Sequence, residues 1–192
     1  MTAQIGDVYR YENTDYECLN LSNGRLFNPW DHGFHPLFVD TSCWNGYWCE
    51  FEITDVVKLQ TLHIHDKNGR YPPLNGVSVL PPGITVKKTP GAGYEHYRNI
   101  GLAIDYTGKI LLADGFIWDY YIHMGLQRPY AFQTLLSFTL ESGVLKEILD
   151  QSGIAERLRK IKEEDRWVRE YGWDTMPIQA LPEEMREEIW WA

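Results

Sequence analysis

The sequence predicts an α+β fold, mainly antiparallel β-sheet with a helical segment at its C-terminal end, and three observations predict it. Residues 47–53 alternate, with apolar Tyr47, Cys49, Phe51 and Ile53 set against Glu50 and Glu52, the period of a strand with one buried face. Similar short apolar runs recur along the first 150 residues, separated by turn residues. After Asp150 the period changes, and Ile154, Leu158, Ile161 and Val168 fall at helical spacing with charges between them.

Taken in order, Tyr9 and Tyr11 lie opposite Val8, Arg10 and Glu12, a short edge strand. Glu17–Leu21 is expected to pair with it after a turn at Asn13-Thr14-Asp15. Asn28–Pro36 reads as a loop, punctuated by two prolines and Gly33. The strand at 47–53 turns at Thr54-Asp55 and returns as Val57–His65. Asn68–Gly93, rich in Gly and Pro, is mainly loop, with a short strand at Ile84–Lys88. Asn99–Tyr106 and Lys109–Ala113 flank Thr107-Gly108 and read as a hairpin. Thr134, Leu136, Phe138 and Leu140 share a strand face, and Ser142-Gly143 turns that strand into Val144–Leu149.

The helix that follows takes Ser152 as N-cap and runs to about Glu170, stopping at Gly172. A second, short helix starts near Pro182, with Glu183 and Glu184 where carboxylates favour the dipole. The expected organisation is a β-rich domain over residues 1–150 and a helical tail over 151–192 packed on it. Trp167, Trp173, Trp190 and Trp191, half of all the Trp, lie in that tail. They either pack back on the sheet or face a partner, including a second copy in a homodimer. Phe51-Glu52-Ile53 with Val57-Lys58-Leu59 resembles Phe138-Thr139-Leu140 with Val144-Leu145-Lys146. A duplication and a shared patterning rule both account for that.

Composition bounds the function. A chain of 192 residues buries roughly 70% of its unfolded surface and needs no disulfide or metal merely to fold. The net charge is −9, and both the first 150 residues and the tail are acidic, so the basic stripe of a phosphate-backbone binder is missing. Nucleic acid is disfavoured, while a basic protein suits the charge. Aromatic residues make up 14% of the chain, and Trp and Tyr are frequent interface anchors as well as core residues. The opening residues lack the basic and apolar regions of a signal peptide, and the apolar runs are too short for a membrane span. Three Cys, an odd number without a C-x-x-C, suit a reducing compartment, so the expected location is the cytoplasm.

Several groups of residues have the chemistry of a site. His63-Ile64-His65-Asp66 places two imidazoles at strand spacing, so both can reach one metal with Asp66 at the strand end. The pair resembles the start of the H-x-H-x-D-H motif of metallo-β-lactamase-type hydrolases. It departs where Asp66 follows the second His at once and Lys67 comes next, so that family's ligands are not carried over. Asp31, His32 and His35 offer further ligands from a loop. Cys49 reads as core, and Cys43 has His35 or His63 as a prospective base. Tyr121, His123 and Gln127 frame a loop with Gly125 that suits a small, nucleotide-like ligand, and Trp44 and Tyr47 offer aromatic contacts. No G-x-x-x-x-G-K-S/T, G-x-G-x-x-G, G-x-S-x-G or H-E-x-x-H is present, and no cofactor is implied.

Two segments carry a resemblance. Trp44-Asn45-Gly46-Tyr47 with Phe51-Glu52-Ile53, and Tyr121-Ile122-His123-Met124-Gly125 with Gln127, are similar to segments of small bacterial and phage-borne β-rich proteins. The resemblance covers about half the chain and implies no catalytic residues. It implies no established activity; small acidic proteins of this kind are often of the immunity or anti-defence class, and that association sets the expectation. The sequence thus favours a non-catalytic binding protein over a small-ligand binder, and over a metal-dependent hydrolase using His63, His65 and Asp66.

Overall fold

A computed structural model describes residues 4–39, 41–80, 93–122, 127–163 and 178–191. Among them are eight strands: β1 (Val8–Tyr11), β2 (Thr14–Leu21), β3 (Tyr47–Ile53), β4 (Val57–Ile64), β5 (Glu95–Ala103), β6 (Gly108–Phe116), β7 (Phe132–Glu141) and β8 (Val144–Asp150). Two α-helices follow, α1 (Ser152–Glu163) and α2 (Glu183–Glu187). The α+β, β-rich class is as the sequence predicts, and most strand pairs are antiparallel. No described helix is long and apolar enough to cross a membrane.

Contacts group the chain into two interleaved units. The first comprises Met1–Asp15, Arg25–Tyr106 and Glu141–Leu145, and its strands run in the order β5-β4-β3-β1. β3 and β4 form the expected hairpin, β5 extends it, and β1 joins β3 in parallel, Val8 beside Glu50 and Tyr11 beside Ile53. Glu12 and Asn13, both at positive φ, make the tight turn after β1, one residue earlier than the sequence suggests. One sheet face is apolar: Tyr9, Cys49, Phe51, Ile53, Val57, Leu59, Leu62, Ile64 and Tyr97 are all buried on it. Tyr9 stacks on Phe51 at 5.0 Å and Phe34 meets Tyr97 edge-on.

A single irregularity decides what the other face carries. Glu50 pairs with Thr61 while Phe51 pairs with Leu59, so Gln60 is an extra residue in β4. Side chains alternate along a strand, so the bulge reverses parity: Val57 and Leu59 are core before it, Leu62 and Ile64 after it. Thr61 and His63 are thereby turned to the polar face, beside Glu50 and Trp48. β5 carries its own irregularity at Asn99–Gly101, with Asn99 and Gly101 at positive φ, and stays in step, His96 opposite His63 and Arg98 opposite Thr61.

The second unit comprises Tyr16–Gly24, Thr107–Leu140 and Lys146–Ala192, with strand order β2-β6-β7-β8. Its core joins Leu111, Ala113, Phe132 and Leu135 to Ile154, Ala155, Leu158 and Ile161 of α1, the helical face that the spacing predicts. Trp191 is buried and donates its indole N–H to Gln151 at 2.6 Å, and Trp190 donates to Ser137 at 2.8 Å. Trp190 and Trp191 are therefore held by their own unit. Arg159 of α1 donates to the carbonyls of Tyr130 and Phe132, and buried Lys162 places its ammonium over the Tyr130 ring.

Some expectations change. β5 pairs with β4, and β6 with β2 and β7, so the hairpin expected across Thr107-Gly108 does not form. Ser152 is not the N-cap, because its hydroxyl accepts the Leu135 N–H. Gln151 takes the capping place, its carbonyl accepting the N–H groups of Ile154 and Ala155, while Asp150 accepts the Ser152 N–H. The two similar hairpins differ in packing: Val57 and Leu59 are fully buried, whereas Val144 and Leu149 are exposed on β8. The strand expected at 84–88, the helix beyond Glu163, Trp167 and Trp173 lie outside the described residues.

Candidate functional site

The polar face of the first unit brings together a carboxylate and two imidazoles. His63, on the segment re-aimed by the Gln60 bulge, sits between Glu50 of β3 and His96 of β5. Its Nε2 lies 2.9 Å from Glu50 Oε1 and its Nδ1 lies 2.8 Å from His96 Nδ1. An ionised carboxylate only accepts, so His63 Nε2–H is the donor to Glu50. In the neutral pair, His63 Nδ1 then accepts the bond that His96 Nδ1–H donates. The hydrogen bond from His63 holds Glu50 below the usual carboxylate range. Burial, reinforced by His63 and Arg98, pushes His96 down to about 4.

Aromatic rings fix this row. Trp48, buried, stacks on His63 with centroids 4.4 Å apart and planes 9° from parallel. Tyr94 meets Trp48 edge-on at 4.9 Å, and Cys43, Trp48 and Tyr94 form a small core cluster with Ile5 packed against it. His63 is 2% exposed, whereas Glu50 and His96 are only partly buried, so solvent reaches the row at both ends. Beside Glu50, a polar cavity of about 270 Å³ is lined by Arg10, Glu50, Glu52, Gln60, Thr61 and Asn99.

The other predicted site residues are placed elsewhere. His65 follows the end of β4, and its Nδ1 lies 2.6 Å from the Gly93 carbonyl. Desolvation pushes the Asp66 carboxyl up, but backbone N–H bonds from His35, Arg70 and Asn68 outweigh it and hold it low. Asp66 thus organises the turn after β4. Among the described residues no three His, Cys, Asp or Glu side chains converge as a metal-ligand group, and His63, His65 and Asp66 do not share one centre. His32 stacks on Phe27. Cys43 is buried, its thiol 3.4 Å from the Tyr47 carbonyl, and burial pushes the Cys49 thiol well up.

Tyr47 is buried, and its hydroxyl accepts from Arg25 at 2.8 Å. Trp44 is 53% exposed. In the second unit, Gln127 bonds the Ile122 backbone twice, accepting its N–H and donating to its carbonyl. Tyr121 and Trp118 are exposed, each meeting Phe116 edge-on. His123 lies outside the described residues.

A second feature of the first unit is apolar. Leu37, Phe38, Val39 and Trp44 are exposed, and hydrogen bonds hold the backbone at Leu37 and at 41–44. Leu37 N–H donates to the His65 carbonyl at 2.8 Å, Gln4 donates to the Thr41 carbonyl and accepts the Trp44 N–H, and Ile5 N–H donates to the Ser42 carbonyl. Gly46, at φ +73°, seats against Leu37 so closely that a Cβ there would lie 2.6 Å from the Leu37 carbonyl oxygen.

Sequence reasoning found His63 but not its partners. His96 lies in β5, which starts at Glu95, four residues before the Asn99 that the sequence suggests, and Glu50 has the pattern of a solvated charge. The signal was there in Glu95-His96-Tyr97-Arg98, an alternation with Tyr97 on the apolar side. No family model, no curated protein and no solved structure matches the chain.

Proposed function

We propose that the protein is a non-catalytic binding protein of the immunity or inhibitor type, which recognises a basic protein partner through an aromatic-rich acidic surface. The observation that carries this reading is the exposed set Leu37, Phe38, Val39 and Trp44, in which Leu37 and Trp44 have hydrogen-bonded backbone. Large apolar side chains in water do not stabilise a monomer, and holding them on fixed backbone lowers the ordering cost of binding. Trp and Phe are the kind of anchor that dominates interface energetics. The net charge of −9 would speed encounter with a basic partner.

The test is affinity capture with the intact chain, followed by reconstitution with the purified captured protein. Phe38→Asp and Trp44→Asp are expected to weaken the reconstituted complex at least tenfold without changing the melting temperature, and raising salt from 50 to about 300 mM should slow association. A complex indifferent to both substitutions and to salt refutes the reading.

A further inference from the structure

We propose that His63 and His96 form an acid-operated latch, which fastens the start of β5 to β4 and opens when both imidazoles are protonated. This rests on the geometry of the row and is independent of the partner-binding reading. The two residues are direct cross-strand neighbours, and their Nδ1 atoms face each other at 2.8 Å. A hydrogen bond between two ring nitrogens needs one proton and one lone pair. In the neutral pair, His63 Nε2–H donates to Glu50 and His96 Nδ1–H donates to His63 Nδ1. A first added proton, taken on His96 Nε2, leaves both bonds as they are. A second goes to His63 Nδ1. Both facing nitrogens then carry hydrogen, no acceptor remains between the rings, and the two cations repel.

The fold decides which ring gives way. His63 is buried, clamped in its stack on Trp48 and tied to Glu50. His96 is only partly buried and stands on β5, at the end of the strand order with β4 as its neighbour. Its side chain is the one that turns out to water. Burial disfavours the His96 cation most; His63 from β4 and Arg98 from β5 add to this, and Glu50 from β3 opposes it. Arg10 acts on the Glu50 carboxylate, and Glu95 lies with Tyr97 on the other face of β5. Together these effects bring His96 from 6.5 down to about 4. A folded pKa below the unfolded one means that the unfolded chain holds the proton more tightly. The stabilising contribution of neutral His96 is therefore complete above pH 6.5 and is lost as pH falls towards 4, where the latch opens.

The whole chain, labelled with heavy nitrogen, is titrated with acid while nuclear magnetic resonance follows the scalar coupling that crosses an N–H···N bond. The expected result is a coupling between His63 Nδ1 and His96 Nδ1 at neutral pH, kept through the first protonation of the pair and lost with the second. His96→Gln is the deciding variant, because its amide can donate to His63 Nδ1 and does not titrate. In urea unfolding, the folding equilibrium constant of the wild type should fall by up to about tenfold more than that of His96→Gln between about pH 6.5 and about pH 5. That comparison holds even where stronger acid unfolds the whole chain. The proposal is overturned by the absence of the coupling at neutral pH, or by its persistence once both rings are protonated. Unfolding with the same pH dependence in the wild type and in His96→Gln also overturns it.

Discussion

Asp7, just before β1, offers the most direct test of the first unit's electrostatics. Its Oδ1 accepts the Cys49 N–H at 2.8 Å, and desolvation by burial pushes its pKa from 3.8 up to about 6, against the lowering effects of that hydrogen bond and of Arg25. The folded state therefore holds the Asp7 proton more tightly than the unfolded chain does. The stabilising contribution is complete below pH 3.8, declines as pH rises towards 6 and is gone above it. At 1.36 kcal/mol per pH unit the full effect would be about 3 kcal/mol. Asp7 keeps part of its surface in water, which brings the expectation to about 1–3 kcal/mol. Asp7→Asn keeps an acceptor for Cys49 and removes the charge. The variant should therefore be more stable than the parent at pH 7.5 by about 1–3 kcal/mol, less what is lost in attraction to Arg25, and the two should converge near pH 4. Chemical denaturation at half-unit steps from pH 4 to 8 reads this directly. Stability curves that run parallel over the whole range would refute the argument.

Three further outcomes follow from the packing. Gly46→Ala should destabilise the protein by about 2–4 kcal/mol in urea unfolding, because the new Cβ meets the Leu37 backbone at a positive φ. Trp191→Phe keeps the buried ring but leaves the Gln151 acceptor without its donor, and should lower stability by about 1–2 kcal/mol. In the native protein a thiol reagent should modify Cys18 first, since Cys43 and Cys49 are buried and the Cys49 thiol is held protonated; all three should react in denaturant. Rapid labelling of Cys49 in the folded state would contradict its placement.

The fold was legible where one periodicity governs a whole element. Residues 47–53 form the strand that their alternation predicts, and Ile154, Leu158 and Ile161 are the buried stripe of α1. Sequence reading failed where long-range pairing decides. Thr107-Gly108 has hairpin chemistry, but the strands on either side find partners distant in the chain, β4 for one and β2 and β7 for the other. Ser152 has capping chemistry, yet its hydroxyl answers a β7 amide, and the helix start is satisfied by Gln151 and Asp150 instead. Both failures have one cause: local propensity sets what a residue can do, and the neighbour brought by the fold sets which option it takes.

The candidate site shows the same cause at the scale of one residue. Strict alternation from Val57 and Leu59 would put Thr61 and His63 on the apolar face, where an imidazole paired with a carboxylate could not be accommodated without burying charge. The extra residue at Gln60 moves His63 across the sheet to Glu50 and His96, and it also returns Leu62 and Ile64 to the core. No periodicity in the sequence marks that position, since Gln60 is an ordinary strand residue by composition. The likeness that was visible, His63 with His65 two positions on, is not the pairing the side chains make: His65 bonds the Gly93 carbonyl, and His63 keeps to the row across the strands. Bulges are over-represented where a strand must re-aim a side chain. The bulge here satisfies the core and the row together, so Glu50, His63 and His96 meet on the polar face while Leu62 and Ile64 stay buried.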